Sequence, residues 1–260
     1  MKKTLVYVGG SKGGTGKSLV CMGAIDFLRK NAPNDEILLF ETDSTNPDVG
    51  RLYKKTKGVV VENLALNENE ENWTNFVDLI EQSTAPYVLV NSMAGANIGI
   101  ESQGYFLNEA IEEEVIEVDF KTIWVMNKDK DSVDLLREYM ERVKYSSIYP
   151  VKNLWFGKEI DFSYYNDSKE GKAIRDMVMK RGGRDFVFPV LNQKLTHRLY
   201  TQQDNFDAIR EFISGGMRIS LTHWLSLIKE MFGIIFGIGE PLLSNHPLEK
   251  NILQKPIIQH

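Results

Sequence analysis

The sequence predicts an α/β fold: a doubly wound, mostly parallel sheet with helices on both faces, then a C-terminal helix and an irregular tail. Short apolar runs alternate along the chain with stretches of helical periodicity. The apolar runs are nearly unbroken, as in strands covered on both sides. A glycine-rich turn joins the first run to the first helical stretch, the usual place for a βα loop with a ligand to hold.

In chain order, "KTLVYVGG" (3–10) reads as a buried strand ending in glycine, and "KSLVCMGAIDFLRKN" (17–31) as a helix. "EILLFETD" (36–43) is a second strand, and 70–83 a helix with Trp73, Phe76, Val77 and Ile80 on one face. "PYVLVNS" (86–92) is a third strand, 101–118 a helix, 121–127 a strand, 131–147 a helix. Strand 151–157, helix 167–181, strand 185–190 and helices across 192–213 follow. In 220–237, Leu221, Trp224, Leu225, Ile228, Phe232 and Ile235 share one face. Residues 1–215 are expected to form the core domain, and 216–260 the closing helix and tail.

Composition narrows the function classes. The chain is 42% hydrophobic and 26% charged, an ordinary globular balance. Its net charge of −5 excludes a uniformly basic nucleic-acid binder, but the charge is uneven. Residues 62–81 carry six acidic residues and no Lys or Arg, whereas 169–198 carry eight basic residues against three acidic ones. The single cysteine, Cys21, excludes an internal disulfide and any multi-cysteine metal site. With no signal-like apolar segment at the start and no unbroken apolar stretch of ~20 residues, a cytoplasmic location is expected.

The stretch "GGSKGGTGKS" (9–18) carries the chemistry. Glycines let successive N–H groups turn inward around phosphate oxygens, and the helix starting near Lys17 points its positive end at the same anion. Lys17 would reach β- and γ-phosphates and the Ser18 hydroxyl would ligate Mg²⁺. The general pattern G-x-x-x-x-G-K-[ST] asks for glycine at position 11, where Ser11 stands.

Lys12-Gly13-Gly14-Thr15-Gly16-Lys17-Ser18 resembles instead the deviant Walker A loop, K-G-G-x-G-K-[ST], of the ParA/MinD family of P-loop ATPases. The resemblance implies ATP and Mg²⁺ as cofactors, with Gly13, Gly14, Thr15, Gly16, Lys17, Ser18 and Leu19 around the phosphates. It implies a homodimer bridged by ATP, in which Lys12 touches the partner's nucleotide. Glu41-Thr42-Asp43 matches the family's D-x-D at the end of the second strand. Asp43 would then orient the attacking water and approach Mg²⁺, and Asn46 would lie near the nucleotide. Without the loop, Asp43 would pass for a turn or cap residue. Glu41 departs from the family's usual aspartate.

The third strand departs too: Asn91 stands where the family has its Walker B aspartate. An amide accepts a hydrogen bond from metal-bound water but brings no charge, so slow hydrolysis is expected, and Asn91→Asp is expected to speed it. "SMAGANIG" (92–99) would be the loop that senses the γ-phosphate. Pro189 and Val190 match the late strand whose proline lies near the adenine, while the family's asparagine after the preceding strand has no clear match in "LWFGKEID". The resemblance covers roughly residues 1–213, and "ETDSTNPDVGRLYK" (41–54), followed by the small-residue loop after the third strand, resembles the TraL/MobD-like proteins of conjugative and mobilisable elements.

Partners follow from the same reading. Non-specific DNA contact would use Lys172, Arg175, Lys180, Arg181 and Arg184, on and after one helix; a solvated helix face has the same composition. A protein regulator or cargo adaptor is a further expected partner. The weakly basic polar face of 220–237 argues against a membrane. Two alternatives remain open: a nucleotide-binding adaptor that hardly hydrolyses ATP, and a MinD-like membrane-cycling ATPase.

Overall fold

The structure is a computed structural model that describes residues 2–93, 95, 97–202 and 204–239. Val/Ile/Leu-rich runs make the strands β1 (Lys3–Gly10), β2 (Ile37–Glu41), β3 (Val59–Asn63), β4 (Tyr87–Asn91), β5 (Val118–Met126), β6 (Ser147–Asn153) and β7 (Phe186–Phe188). They pair in parallel in the order β3-β2-β4-β1-β5-β6-β7. The helices are α1 (Lys17–Asn31), α2 (Asp48–Tyr53), α3 (Glu70–Gln82), α4 (Asn97–Glu112), α5 (Lys130–Arg142), α6 (Ser163–Asp167), α7 (Lys169–Lys180), α8 (Gln193–Gln202), α9 (Phe206–Phe212) and α10 (Gly215–Phe236).

Side chains alternate across each strand, which gives the sheet two cores. Val6 and Val8 of β1 pack with α1, α2, α8, α9 and α10, while Leu5 and Tyr7 pack with α3 to α7. Helix starts use ordinary caps: Asn69 accepts from the Glu71 N–H before α3, and Ser168 from the Gly171 N–H before α7. The face of α10 expected to be buried is buried: Leu221, Trp224, Ile228, Phe232 and Ile235 join the core shared with α1, and Leu225 packs against it. That face is therefore spent inside the fold and is not free for a lipid surface. The 215/216 boundary falls at the start of α10, whose apolar side belongs to the first core.

The clearest differences from expectation are at β6 and at the unexpected α2, β3 and α6. The short α2 and the edge strand β3 had no strong periodicity, yet β3 pairs with β2 in register Ile37↔Val59 through Glu41↔Asn63. The strand expected at 151–157 lies four residues earlier, at 147–153, and Leu154–Phe156 forms a 3-10 turn capped by Asn153. Pro150 hid this strand, but β7 pairs only with Val151–Asn153, so β6 has a free outer edge beside the proline. Ala94 and Ala96 of the small-residue loop after β4, and the tail from residue 240, lie outside the described residues.

Candidate nucleotide site

Parallel sheets bind ligands at the carboxyl ends of their strands. Here those ends bring together Gly10, Glu41, Asn91, Asn153 and Phe188 from β1, β2, β4, β6 and β7. The glycine loop leaves β1 and enters α1 through Gly14 and Gly16, both left-handed at φ 76° and 101°. Gly16 is the cap residue of α1 and supplies no side-chain acceptor, so the first N–H groups of the helix are left for a ligand. A Cβ on Gly16 would fall 2.5 Å from Asn153 Nδ2, whereas one on Gly14 would meet open space.

Lys17 is buried at the base of the loop, and its ammonium donates to the Lys12 carbonyl at 2.8 Å. Burial pulls its pKa down to about 8, against the opposing charge of Asp43. The Thr15 hydroxyl donates to the same carbonyl at 3.2 Å. Lys12 itself points outward and pairs with Asp131 on α5 at 2.5 Å, with both side chains about half exposed. That pair raises the lysine's pKa and lowers the aspartate's. Ser11, the departure from the general pattern, is buried and hydrogen-bonded to Ser132 of α5 at 2.9 Å.

At the end of β2, Asp43 Oδ1 accepts from the N–H groups of Thr45 (3.0 Å) and Asn46 (2.8 Å), so one oxygen closes a turn. Asn46 is exposed and tied to Asp48 and Arg51. Asn91 lies beside Glu41, and its Nδ2 donates to both carboxylate oxygens at 3.0 and 3.2 Å. Burial raises the Glu41 carboxyl above its ordinary value, while donors from Gly50, Asn91 and Asp43 pull the other way. An aspartate at position 91 would face the Glu41 carboxylate at hydrogen-bond distance.

Most of the expected site residues line one cavity of about 480 Å³, a size suited to a small organic ligand. Gly13, Gly14, Gly16, Lys17, Ser18, Leu19, Asp43, Asn46, Asn91, Pro189 and Val190 all border it. Lys12 and Thr15 do not: Lys12 turns to Asp131, and Thr15 packs under the loop. Sequence reasoning missed Asn153 because its strand ends four residues before the expected one. Its Nδ2 donates to the Thr15 carbonyl at 2.8 Å and its Oδ1 accepts from the Trp155 N–H at 3.1 Å. Trp155, Thr196 and Tyr200 also border the cavity, from segments whose position only the fold reveals. The Pro189 carbonyl is engaged by Trp224 Nε1 at 2.8 Å.

The donor set suits a hard cation: the Ser18 hydroxyl, the Asp43 carboxylate and Asn91 Oδ1, which is buried without a hydrogen-bond partner. No group of three or more His, Cys, Asp or Glu residues could hold a metal among the described residues, so a cation here would need oxygens from a ligand as well.

The basic stretch is less free than its composition implied. Arg181 donates to the carbonyls of Met140 and Val143, both at 2.6 Å, and Arg175 donates to the Tyr165 carbonyl and lies over its ring. Both are fold staples. Lys172, Lys180 and Arg184 are exposed, the last over the Phe186 ring.

No protein-family model matches the chain. Protein MobD of Acidithiobacillus ferrooxidans is 33% identical over 236 residues, which is 90% of this chain and 99% of that protein. A chain of the MinC:MinD cell division protein complex of Aquifex aeolicus superposes with a TM-score of 0.53 at 15% identity, covering 92% of this chain and 98% of its own, and so shares the fold. A putative plasmid partition protein of Borrelia burgdorferi, bound to AMPPNP, gives a TM-score of 0.49 at 13% identity, over 89% and 100% of the two chains.

Proposed function

We propose that the chain, which belongs to the family of the MobD protein it matches almost end to end, is an ATP-dependent dimerising switch of the ParA/MinD type. It would act in DNA partition, plasmid mobilisation or conjugation, or intracellular positioning. The observation that carries this reading is the single cavity into which the glycine loop, Lys17, Ser18, Asp43 and Asn91 all open.

The loop's N–H groups and the start of α1 would cradle the phosphates. A triphosphate offers Lys17 better acceptors than the Lys12 carbonyl, so its ammonium would change partners on binding. Lys12, paired with Asp131 at the surface, would leave that pair for the phosphates of a second copy. Asp43 would orient the water that attacks the γ-phosphorus, releasing ADP and phosphate. Ser18, Asp43 and Asn91 would hold Mg²⁺, whose charge would offset that of the phosphates. The neutral amide at 91 favours slow turnover, and on that ground a non-hydrolysing adaptor is the second reading; single-turnover hydrolysis separates the two.

Gel filtration with ATP and Mg²⁺ should shift the chain from monomer to dimer, and the dimer peak should retain DNA less as salt rises. A chain that stays monomeric when saturated with ATP contradicts the switch. Any DNA contact would rest on Lys172, Lys180 and Arg184, because Arg175 and Arg181 are engaged within the fold.

Two finer expectations follow. Only protonated Lys17 grips a phosphate, and in the empty site its pKa is about 8. ATP affinity should therefore fall as pH rises above 8, by at most about tenfold per unit, and binding should take up a proton there. Calorimetry in buffers of different ionisation enthalpy measures both. For stability the sign is opposite. The unfolded chain keeps this proton up to the ordinary value of 10.5, so between 8 and 10.5 this group makes the empty protein more stable as pH rises.

Of the four tryptophans, Trp73, Trp124 and Trp224 are 1%, 0% and 3% exposed, whereas Trp155 is 53% exposed at the cavity. ATP should change tryptophan fluorescence, and Trp155→Phe should abolish the change while keeping binding. Trp155→Ala should weaken binding by about 1–2 kcal/mol through lost stacking on the base.

A further inference from the structure

Glu41 and Asn91 face each other across paired strands: they are register partners at the carboxyl ends of β2 and β4. Both are nearly inaccessible, at 1% and 2% exposure. Glu41 Oε2 accepts the N–H groups of Val49 (3.1 Å) and Gly50 (2.9 Å), Oε1 accepts that of Asp43 (3.3 Å), and Asn91 Nδ2 reaches both oxygens. Glycine at position 50 leaves room for the stem of this side chain: a Cβ there would lie 3.1 Å from Glu41 Cβ and 3.2 Å from its Cγ.

A carboxylate only accepts hydrogen bonds, so the amide of Asn91 must present its nitrogen to Glu41. Its oxygen then faces the other way, and this is the Oδ1 that is buried and unpartnered in a residue bordering the cavity. Thr42 fixes the same residue from behind, donating to the Asn91 carbonyl from its N–H at 3.2 Å and its hydroxyl at 3.0 Å.

We propose that Glu41 is a positioning residue for cation-dependent nucleotide binding. It holds Asn91 with its oxygen toward the cation's water shell, and the acid and the amide form a pair in which neither can be exchanged alone. The inference rests on the nucleotide-binding reading above and deepens it.

The pair predicts an asymmetric set of variants. In Glu41→Gln, the new amide oxygen stays with the Val49 and Gly50 N–H groups, so its NH₂ meets the NH₂ of Asn91. The retained oxygen can still accept from Asn91 at 3.2 Å, but the contact between the two NH₂ groups favours the turned-over amide, which puts a donor where Asn91 Oδ1 was. In Asn91→Asp, two buried carboxylates meet at hydrogen-bond distance. In Glu41→Gln/Asn91→Asp, the introduced amide donates to the introduced carboxylate, and an acceptor again takes the place of Asn91 Oδ1.

The test measures ATP affinity of the full chain with Mg²⁺ and with EDTA, and the Tm of each nucleotide-free protein. The wild type should bind more tightly with Mg²⁺. Glu41→Gln should cut that Mg²⁺ enhancement about tenfold or more, the cost typical of losing a residue that orients a metal's ligand. Asn91→Asp should lower the Tm, and the double variant should recover both the enhancement and the Tm. An unchanged enhancement in Glu41→Gln, or a double variant no better than its worse parent, overturns the pairing while leaving nucleotide binding intact. A wild type that binds ATP in neither condition overturns the proposed function itself.

Discussion

Lys17→Ala is expected to weaken ATP binding by roughly a hundredfold, because it removes a buried charge-assisted hydrogen bond worth about 3 kcal/mol. The empty protein should keep or gain stability. In the folded state Lys17 holds an ammonium in a buried place, with one carbonyl as its hydrogen-bond partner. Lys12→Ala should behave differently. Its half-exposed pair with Asp131 contributes little to the fold, and its side chain lies outside the cavity. That variant should bind ATP almost as the wild type does and yet remain a monomer in gel filtration. Calorimetry and chromatography together read the two lysines separately. Equal loss of affinity in both variants would remove the distinct role given to Lys12.

The second large effect belongs to α10. Phe232 is fully buried, with ring centroids 6.0 Å from Phe27 and 6.3 Å from Phe236. Helix α1 admits it through Gly23, where a Cβ would stand 3.0 Å from the Phe232 ring. Phe232→Ala should cost about 3–5 kcal/mol and lower the Tm by about 10 °C. Leu227→Ala, on the exposed side of the same helix, should change it little. A helix that merely rested on the domain, or served a membrane, would show the same small effect at both sites.

The loop could be read residue by residue in the sequence because its function lies in local spacing: glycines for the turn and a lysine at the helix start. The central strands were legible for a similar reason, since apolar runs buried on both faces leave a contiguous signal. What escaped depends on contacts distant in sequence. Glu41 looked like a one-methylene departure from a motif, and its purpose became visible only beside Asn91, fifty residues away. Asn153 was obscured by Pro150 and by the apolar "LWF" that follows it, which drew the expected strand past its true end. Arg175 and Arg181 read as a basic surface, but their guanidinium groups bond backbone carbonyls within the fold.

Lys121 fixes the molecule's polarity. This buried ammonium, also paired with Asp119, donates to the Ile235 carbonyl at 2.6 Å and pins the last turn of α10 near the beginning of β5. The cavity opens at the opposite end of the strands, roughly 15 Å further along β5. A dye attached at Gly237 would therefore sit at the antipode of the phosphates, able to report tumbling and self-association without obstructing the nucleotide.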